Sequence, residues 1–136
     1  MNTERVKAPE SAPTPSPLLK RDWIAGIERG FSVIECFNET NPRLTAQQVG
    51  ERSGLTRTAA RRYLLTLASL GYVASDGKTF WLTPRVLRLG QHYLESARLP
   101  RIAQPYLQRL YTLTGEIAML SVLDGLDCVY IARNGT

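Results

Sequence analysis

Residues 45–70 read TAQQVGERSGLTRTAARRYLLTLASL, which is the pattern of two helices separated by a short break. Thr45 is placed to cap the first helix, and Gln48 three residues later completes a capping box. Gly54 ends that helix, because glycine accepts the left-handed backbone conformation that a helix terminus needs. Thr56 is placed to cap the second helix. The spacing therefore predicts a helix-turn-helix over residues 45–70.

The second helix of this motif has an apolar side and a basic side. Its apolar residues recur at spacings of three and four, which is typical of a packed helix face. They are Ala60, Tyr63, Leu64, Leu67 and Leu70. The opposite side gathers Arg57, Thr58, Arg61 and Arg62. One face is therefore expected to pack, and the other to bind a partner.

An amphipathic helix is predicted before the motif, over residues 23–38. Its apolar residues share one face, which we expect to pack on the helix-turn-helix. They are Trp23, Ile24, Ile27, Phe31, Ile34 and Phe37. Cys36 lies opposite this stripe, which predicts a partly exposed thiol or one in a subunit contact, with a surface thiol favoured. Pro42 then prevents the helix from continuing.

A β-hairpin is predicted directly after the second helix. Two runs with high β propensity flank Asp76 and Gly77, a dipeptide that favours a tight turn with positive φ at both positions. A hairpin in this place makes a winged helix, so we assign residues 22–83 to a winged helix-turn-helix domain with its wing at 72–82. Lys78 lies at the hairpin tip. Leu65, on the polar side of the second helix, is expected to pack against the wing or the first helix.

The segments on either side of this domain have simpler patterns. Residues 1–21 are rich in proline and small polar residues, so we expect a disordered tail. Residues 84–98 predict a linker helix with two apolar seams, one for its own winged helix and one for a second subunit. The seams are Val86, Leu89 and Tyr93, and Leu87, Gly90, Leu94 and Ala97. His92 has no acidic or nucleophilic neighbour at a useful spacing and is expected at the surface.

Residues 99–136 predict one more helix and a second hairpin. Helical spacing of apolar residues runs from 101 to 114, and apolar runs at 117–123 and 126–132 flank Asp124 and Gly125. Such strands need more neighbours and cover, so we expect the chain to end inside a second domain. The predicted fold is mainly α with short β: a winged helix-turn-helix, a linker helix, and the opening of an incomplete α/β second domain.

Composition narrows the class of protein. The 136 residues are 43% hydrophobic, enough for a core, and the net charge of +5 suits a polyanionic partner. The two cysteines, Cys36 and Cys128, have no spacing typical of a disulfide framework or a zinc site. No segment resembles a signal peptide or reaches transmembrane length, so we predict a cytoplasmic protein. The sequence has no phosphate-binding glycine loop, metal cluster or nucleophile–histidine pair, which argues against an enzyme and predicts no cofactor.

The basic side of the second helix indicates binding of double-stranded DNA. Four arginines stand against one acid within residues 45–70. The second helix of a helix-turn-helix lies in the major groove, so Arg57, Thr58 and Arg61 are the predicted base-reading residues. Phosphate contacts are predicted at helix starts and at the wing tip, from Thr45, Gln47, Thr56 and Lys78. For Arg62, a phosphate contact or a salt bridge is as consistent with the pattern as a base contact.

A second interpretation stays open. A winged helix can also serve as a protein-interaction or dimerisation module that does not bind DNA specifically. Its affinity for duplex DNA would then be weak and almost independent of salt, whereas phosphate contacts make binding fall steeply with salt. The two hypotheses therefore differ in a measurable quantity.

From residue 23 onward the chain resembles the IclR family of bacterial transcriptional regulators. The matching motifs are RGFSVIE at 29–35, SGLTR at 53–57, RYL at 62–64, GYV at 71–73, LTPRVL at 82–87, LG at 89–90, GE at 115–116 and VYIAR at 129–133. The run AARRYLLTL at 59–67 and the wing SDGK at 75–78 are most similar to regulators of the β-ketoadipate pathway, which control breakdown of protocatechuate and related aromatic acids.

The resemblance implies a regulator that forms a homodimer or tetramer, binds a DNA operator and responds to a small aromatic or dicarboxylic acid. It also implies that most of the effector-binding domain is absent from this chain. We therefore expect a fragment or a truncated gene product, and assign no effector-binding residue.

Overall fold

The computed structural model describes residues 17–134, so most of the predicted N-terminal tail lies outside the described residues. The helices are α1 (Ala25–Ile34), α2 (Ala46–Ser53), α3 (Arg57–Leu70), α4 (Leu87–Ser96) and α5 (Arg98–Thr114). The strands are β1 (Leu44–Thr45), β2 (Val73–Ser75), β3 (Thr79–Leu82), β4 (Met119–Asp124) and β5 (Asp127–Arg133). Short 3₁₀ turns cover Lys20–Asp22 and Pro84–Val86. The mainly helical fold with short antiparallel strands is as predicted.

Helices α2 and α3 begin and end at the residues that the sequence indicates. The Gln48 amide donates to Thr45 Oγ1 (3.2 Å), and the Thr45 amide donates back to Gln48 Oε1 (2.8 Å), which completes the capping box. Thr56 caps α3 by accepting from the Ala59 amide (3.1 Å). Gly54 has φ 75° and ends α2. The predicted helix-turn-helix is confirmed.

Gly50 allows the chain to turn tightly between α2 and α3. The Leu55 amide donates to the Gly50 carbonyl (3.0 Å), so the turn folds back on the middle of α2. A Cβ atom built on Gly50 would lie 2.8 Å from the Leu55 carbonyl oxygen, which is closer than these atoms can approach. Glycine is therefore required here by close packing, although sequence reasoning assigned it no role.

A three-stranded antiparallel sheet of order β1-β3-β2 forms the wing. Strand β1, which was not predicted, pairs Leu44 with Phe80 and Thr45 with Thr79. Two buried members of the sheet, Leu44 and Phe80, face a core shared with α1, α2 and α3. The wing is thus attached to the chain immediately before α2 as well as to the end of α3.

The wing turn differs from the predicted one. Gly77 has φ 94°, but no other residue type within 17–134 has positive φ, so the predicted turn with both residues at positive φ is wrong. Instead, Asp76 Oδ1 accepts from the amides of Lys78 (3.0 Å) and Thr79 (2.7 Å). These hydrogen bonds lower the pKa of the Asp76 carboxyl to about 2, the bond from Thr79 having the largest effect. Hydrogen bonds to the Asp76 side chain therefore close the turn, and only its glycine has positive φ.

Helix α1 packs on the helix-turn-helix through a face other than the predicted one. It is shorter than expected, its buried residue is Val33, and Gly26 and Gly30, exposed and half-buried, lie beside Tyr63. Trp23, Ile24, Ile27 and Phe31 of the predicted stripe are exposed, whereas Ile34 is half-buried and Phe37 is buried in the core. The predicted packing face is therefore wrong over residues 23–31 and right at Phe37, which joins the core.

Cys36 is buried, and the prediction of a surface thiol is wrong. It is 7% exposed, lies just after α1, and its thiol donates to the Ser32 carbonyl (3.2 Å). Burial raises the pKa of this thiol. The position opposite the apolar stripe is, in this fold, the position that faces the core.

The recognition helix α3 buries Ala60 and Leu64 as predicted, with Tyr63 and Leu67 partly buried. Leu70, at its last turn, is 54% exposed. Leu65 is 46% exposed, so the expected packing against the wing or first helix is wrong.

The linker helix is more exposed to solvent than expected, and the C-terminal elements differ from the prediction in their bounds. Every residue of α4 is exposed, so Leu89 and Tyr93 of the seam predicted to pack on its own winged helix are not buried, while Val86, just before α4, is half-buried. Helix α5 starts at Arg98, with Pro100 inside its first turn, where a missing N–H costs nothing. Strands β4 and β5 form the predicted hairpin, but Asp124 pairs with Asp127, so the turn residues are Gly125 and Leu126. Between residues 17 and 134, no helix is long and apolar enough to cross a bilayer.

Candidate nucleic-acid interface

A basic cleft lies between the N-terminal part of α3 and the wing. Its volume is about 270 Å³. The polar side chains that line it come from β1, α2, α3 and the wing turn, and are Thr45, Gln47, Arg57, Arg61 and Lys78. Five of the eight predicted DNA-binding residues are thus brought together around one cavity, although they span more than thirty positions of sequence. We call this cavity the wing-side cleft.

Pairing of β1 with β3 positions these side chains. Thr45 is at once the N-cap of α2 and the strand partner of Thr79, which directly follows Lys78. Phe80, the next residue along β3, is 1% exposed and anchors the strand in the core. The wing lysine and the start of the helix-turn-helix are therefore held side by side by backbone hydrogen bonds.

The charge of the wing-side cleft is uncompensated. Arg57, Arg61 and Lys78 form no ion pair with any acid in the part of the chain that the structure describes. The carboxylate on the wing, Asp76, pairs instead with Arg43 at 3.9 Å. Gln47 donates to Glu51 at 3.4 Å, a long contact that leaves its carbonyl oxygen available. Three like charges around one cavity favour an anionic ligand.

The other predicted residues surround α3 outside this cleft. Thr56 is occupied as the helix cap, and Thr58 is exposed on the first turn. Arg62 lines a different cleft, together with Arg29 of α1. At about 100° per residue, Thr58 projects between the directions of Arg61 and Arg62, so it lies on the outermost ridge of the helix.

Arg52, counted among the four arginines of the motif, points away from this surface. Its Nη2 atom donates to Asn41 Oδ1 (2.7 Å), and it lines a polar cleft with Ser32, Cys36 and Ser53. The basic surface around α3 is therefore made by Arg57, Arg61 and Arg62, with Lys78 added by the wing.

Arg43 supports the wing from outside and was missed by sequence reasoning. Its guanidinium lies 3.9 Å from the centroid of the Trp81 ring, a cation–π geometry, while also approaching Asp76. The partners are more than thirty residues away in sequence, so no local pattern indicates the contact. No group of three or more His, Cys, Asp and Glu side chains among residues 17–134 is arranged to hold a metal ion.

Comparison with known proteins identifies this architecture. Residues 26–77 match the family model of the IclR helix-turn-helix domain. The chain is 45% identical over 113 residues to the Pca operon regulatory protein of Acinetobacter baylyi, and covers 41% of that protein. It is 47% identical to the p-hydroxybenzoate hydroxylase transcriptional activator of the same organism, with 42% of that protein covered. In both cases the match takes in 83% of this chain.

A solved structure gives the same result. An IclR-family transcriptional regulator from Brucella abortus superposes with a TM-score of 0.74 at 29% identity, over 85% of this chain and 45% of that chain. The chain thus spans about two fifths of the length of the curated relatives that it matches. These relatives are transcriptional regulators and not enzymes. The winged helix-turn-helix, the motif order and the relatives agree: residues 26–77 form an IclR helix-turn-helix domain, and the chain is similar along most of its length to IclR-family transcriptional regulators.

Proposed function

We propose that this protein binds a specific operator in double-stranded DNA, with Arg57, Thr58 and Arg61 reading base edges in the major groove. The observation that supports this most directly is the wing-side cleft, in which arginines of the recognition helix and the wing lysine meet without acidic partners. An arginine that bonds O6 and N7 of one guanine discriminates by about 1–3 kcal/mol against the wrong base. Thr58 offers a hydroxyl to a base, or its methyl group to thymine.

The remaining predicted residues are proposed to hold the sugar–phosphate backbone. Thr45, Gln47 and Thr56 stand at the starts of α2 and α3, where free backbone N–H groups point outward and favour anions. Lys78 on the wing adds a point charge on the same side. Such contacts fix the register of α3 in the groove without reading sequence.

The proposed target is an operon for the catabolism of an aromatic acid. Support comes from 45% and 47% identity to the two Acinetobacter baylyi regulators, whose names refer to the pca operon and to p-hydroxybenzoate hydroxylase. A small aromatic or dicarboxylic acid is the proposed effector of a complete effector-binding domain. We propose the cytoplasm as the site of action, since the operator lies there.

We further propose that the protein acts as a homodimer. The apolar stripe formed by Trp23, Ile24, Ile27 and Phe31, in α1 and just before it, is exposed, and so are the seam residues that lie within α4. Contiguous apolar surface of this kind is typical of a subunit interface. A two-fold dimer places two recognition helices one or more DNA turns apart, so the operator is expected to be palindromic. In this scheme residues 22–83 read DNA, 84–98 link and dimerise, and 99–136 open the effector-binding domain.

The base-reading role is tested by selecting duplexes that bind the purified protein and then comparing variants on the selected and a random sequence. Arg61→Ala is expected to weaken binding to the selected sequence by about 1–3 kcal/mol more than binding to random DNA. Arg109→Ala removes the same charge from α5 and should affect neither duplex strongly. Equal losses on both duplexes for Arg61→Ala would assign Arg61 to the backbone.

The same titrations separate this proposal from a protein-interaction module. Operator binding should fall with salt on a steep logarithmic slope, because each phosphate contact releases counterions. A shallow slope together with weak affinity for every duplex would favour the interaction module.

A further inference from the structure

A second basic cleft lies on the side of the recognition helix opposite the wing. Its volume is about 300 Å³, and it is lined by Arg29 of α1 and by Ala59, Arg62, Tyr63 and Thr66 of α3. We call it the α1-side cleft. The sequence motifs assigned no role to Arg29, and Arg62 was left without a definite one.

Close packing of α1 on α3 creates this cleft. A Cβ atom on Gly26 would lie 3.7 Å from the Tyr63 hydroxyl, and one on Gly30 would lie 4.0 Å from the Tyr63 ring. Both distances are ordinary van der Waals contacts, so this side of α1 rests directly on Tyr63 of α3. Arg29, between them in sequence, reaches the rim that Arg62 also lines.

The two guanidinium groups have no partner in the described part of the chain. Neither Arg29 nor Arg62 takes part in a side-chain hydrogen bond or a salt bridge among residues 17–134, and no acid lines the cleft. Two cations around one cavity repel each other unless an anion lies between them. A planar guanidinium binds phosphate oxygens in a paired geometry, so a phosphodiester is a suitable ligand.

The arrangement of both clefts indicates which phosphodiester this is. Arg57 and Arg61 line the wing-side cleft, whereas Arg62 projects about 100° further round the helix into the α1-side cleft. A helix in the major groove lies between two phosphate backbones, one at each wall. The geometry points to an arrangement in which the wing side of α3 contacts one DNA strand and the α1 side of α3 contacts the other.

We propose that Arg29 and Arg62 together bind one backbone phosphate of the operator strand that lies opposite the wing. This rests on the proposed function, since it takes α3 to lie in the major groove. Arg29 thereby becomes a DNA-binding residue contributed by a helix outside the helix-turn-helix. Such a contact fixes the rotation of α3 about its own axis, because it holds the flank that the wing does not reach.

The test combines substitutions with a phosphate scan. The 136-residue protein and its variants Arg29→Ala, Arg62→Ala and Arg109→Ala are titrated with the selected duplex and a random duplex. Arg29→Ala should weaken binding to both by about tenfold, and lower the salt slope by about one per subunit. Arg29→Lys, which keeps the charge, should recover most of the slope. Arg109→Ala should match the unaltered protein.

Duplexes carrying one neutral methylphosphonate at successive positions then locate the phosphate. One position in each half-site should weaken the unaltered protein by about tenfold, weaken Arg29→Ala and Arg62→Ala less, and leave the double variant Arg29→Ala/Arg62→Ala unchanged, because that phosphate then has no arginine left to bind. Different positions for the two variants, or none, would overturn the shared phosphate. So would an Arg29→Ala variant that behaves like Arg109→Ala while the unaltered protein binds its operator specifically. If the unaltered protein selects no sequence, the proposed function itself fails.

Discussion

Gly50 is the residue on which the geometry of the helix-turn-helix most depends. A side chain there would meet the Leu55 carbonyl oxygen at 2.8 Å, and that carbonyl belongs to the turn backbone, which has no freedom to move aside. We expect Gly50→Ala to lower the free energy of unfolding by about 1–3 kcal/mol, as other overpacked substitutions do. Urea unfolding followed by circular dichroism measures this change.

The matched control for this substitution is Gly90→Ala. Gly90 lies in α4, and a Cβ atom there would have no neighbour within 4 Å. Alanine in an open helical position stabilises by up to about 1 kcal/mol relative to glycine. A Gly50→Ala protein as stable as the Gly90→Ala protein would contradict the close approach of the turn to α2.

At the scale of the element, the wing depends on the ionised form of Asp76. Its folded-state pKa of about 2 lies below the ordinary value of 3.8, so its stabilising effect is complete above the ordinary value and is lost as pH falls through about 2. The melting temperature of the unaltered protein should therefore exceed that of Asp76→Ala near neutral pH, and the difference should shrink as pH approaches 2.

Asp124→Ala serves as the control for the loss of a hairpin carboxylate. Asp124 ends β4 in the other hairpin, and its side chain accepts no hydrogen bond from residues 17–134. Near neutral pH, the melting temperature of Asp124→Ala should therefore lie closer to that of the unaltered protein than the melting temperature of Asp76→Ala does. A constant difference for Asp76→Ala between neutral pH and pH 2 would show that ionisation of Asp76 does not hold the turn.

The elements also show how far local sequence determines this fold. The caps at Thr45 and Thr56 act over three residues, so the helix-turn-helix and its bounds were predictable. Strand β1 has only two residues and pairs with a segment about 35 positions away, and no local pattern indicates it. The packed side of α1, marked by Val33, is decided by contacts with α2 and α3, which hydropathy along α1 alone does not indicate. Prediction from the sequence therefore succeeds where the contacts are local, and it fails where a residue distant in sequence determines the structure.

The residues of the candidate site also fall into those that the sequence predicts and those that it does not. Arg57 and Arg61 were identifiable from the position of the recognition helix, and Lys78 from the turn dipeptide. Arg29 and Arg43 were not, because their neighbours Arg62 and Trp81 belong to other elements. In the sequence, Arg29 is indistinguishable from a solvated surface arginine, and only the packing of α1 on α3 shows that it lies beside the recognition helix.

At the scale of the whole molecule, the exposed stripe of α1 predicts self-association. Ile27→Glu places a charge in the middle of that stripe, and we expect it to convert a dimer into a monomer, since an unpaired buried charge is strongly unfavourable at an interface. Sedimentation velocity at micromolar concentration measures the change. Circular dichroism should show an intact fold, because Ile27 is already exposed within one subunit.

Leu126→Glu is the comparison for the dimer prediction. Leu126 is fully exposed in the turn of the second hairpin, away from α1 in sequence. This variant should sediment as the unaltered protein does. A monomeric unaltered protein, or an Ile27→Glu variant that remains dimeric, would show that the α1 stripe is not the subunit interface.

The double role of Thr45 affects how the complex with DNA forms. Because this residue both caps α2 and pairs with β3, the backbone that carries the wing and the backbone that carries the recognition helix form one preorganised unit. Association then loses little backbone conformational entropy. The heat-capacity change of binding should accordingly reflect the surface that leaves water, without the large additional contribution that accompanies coupled folding.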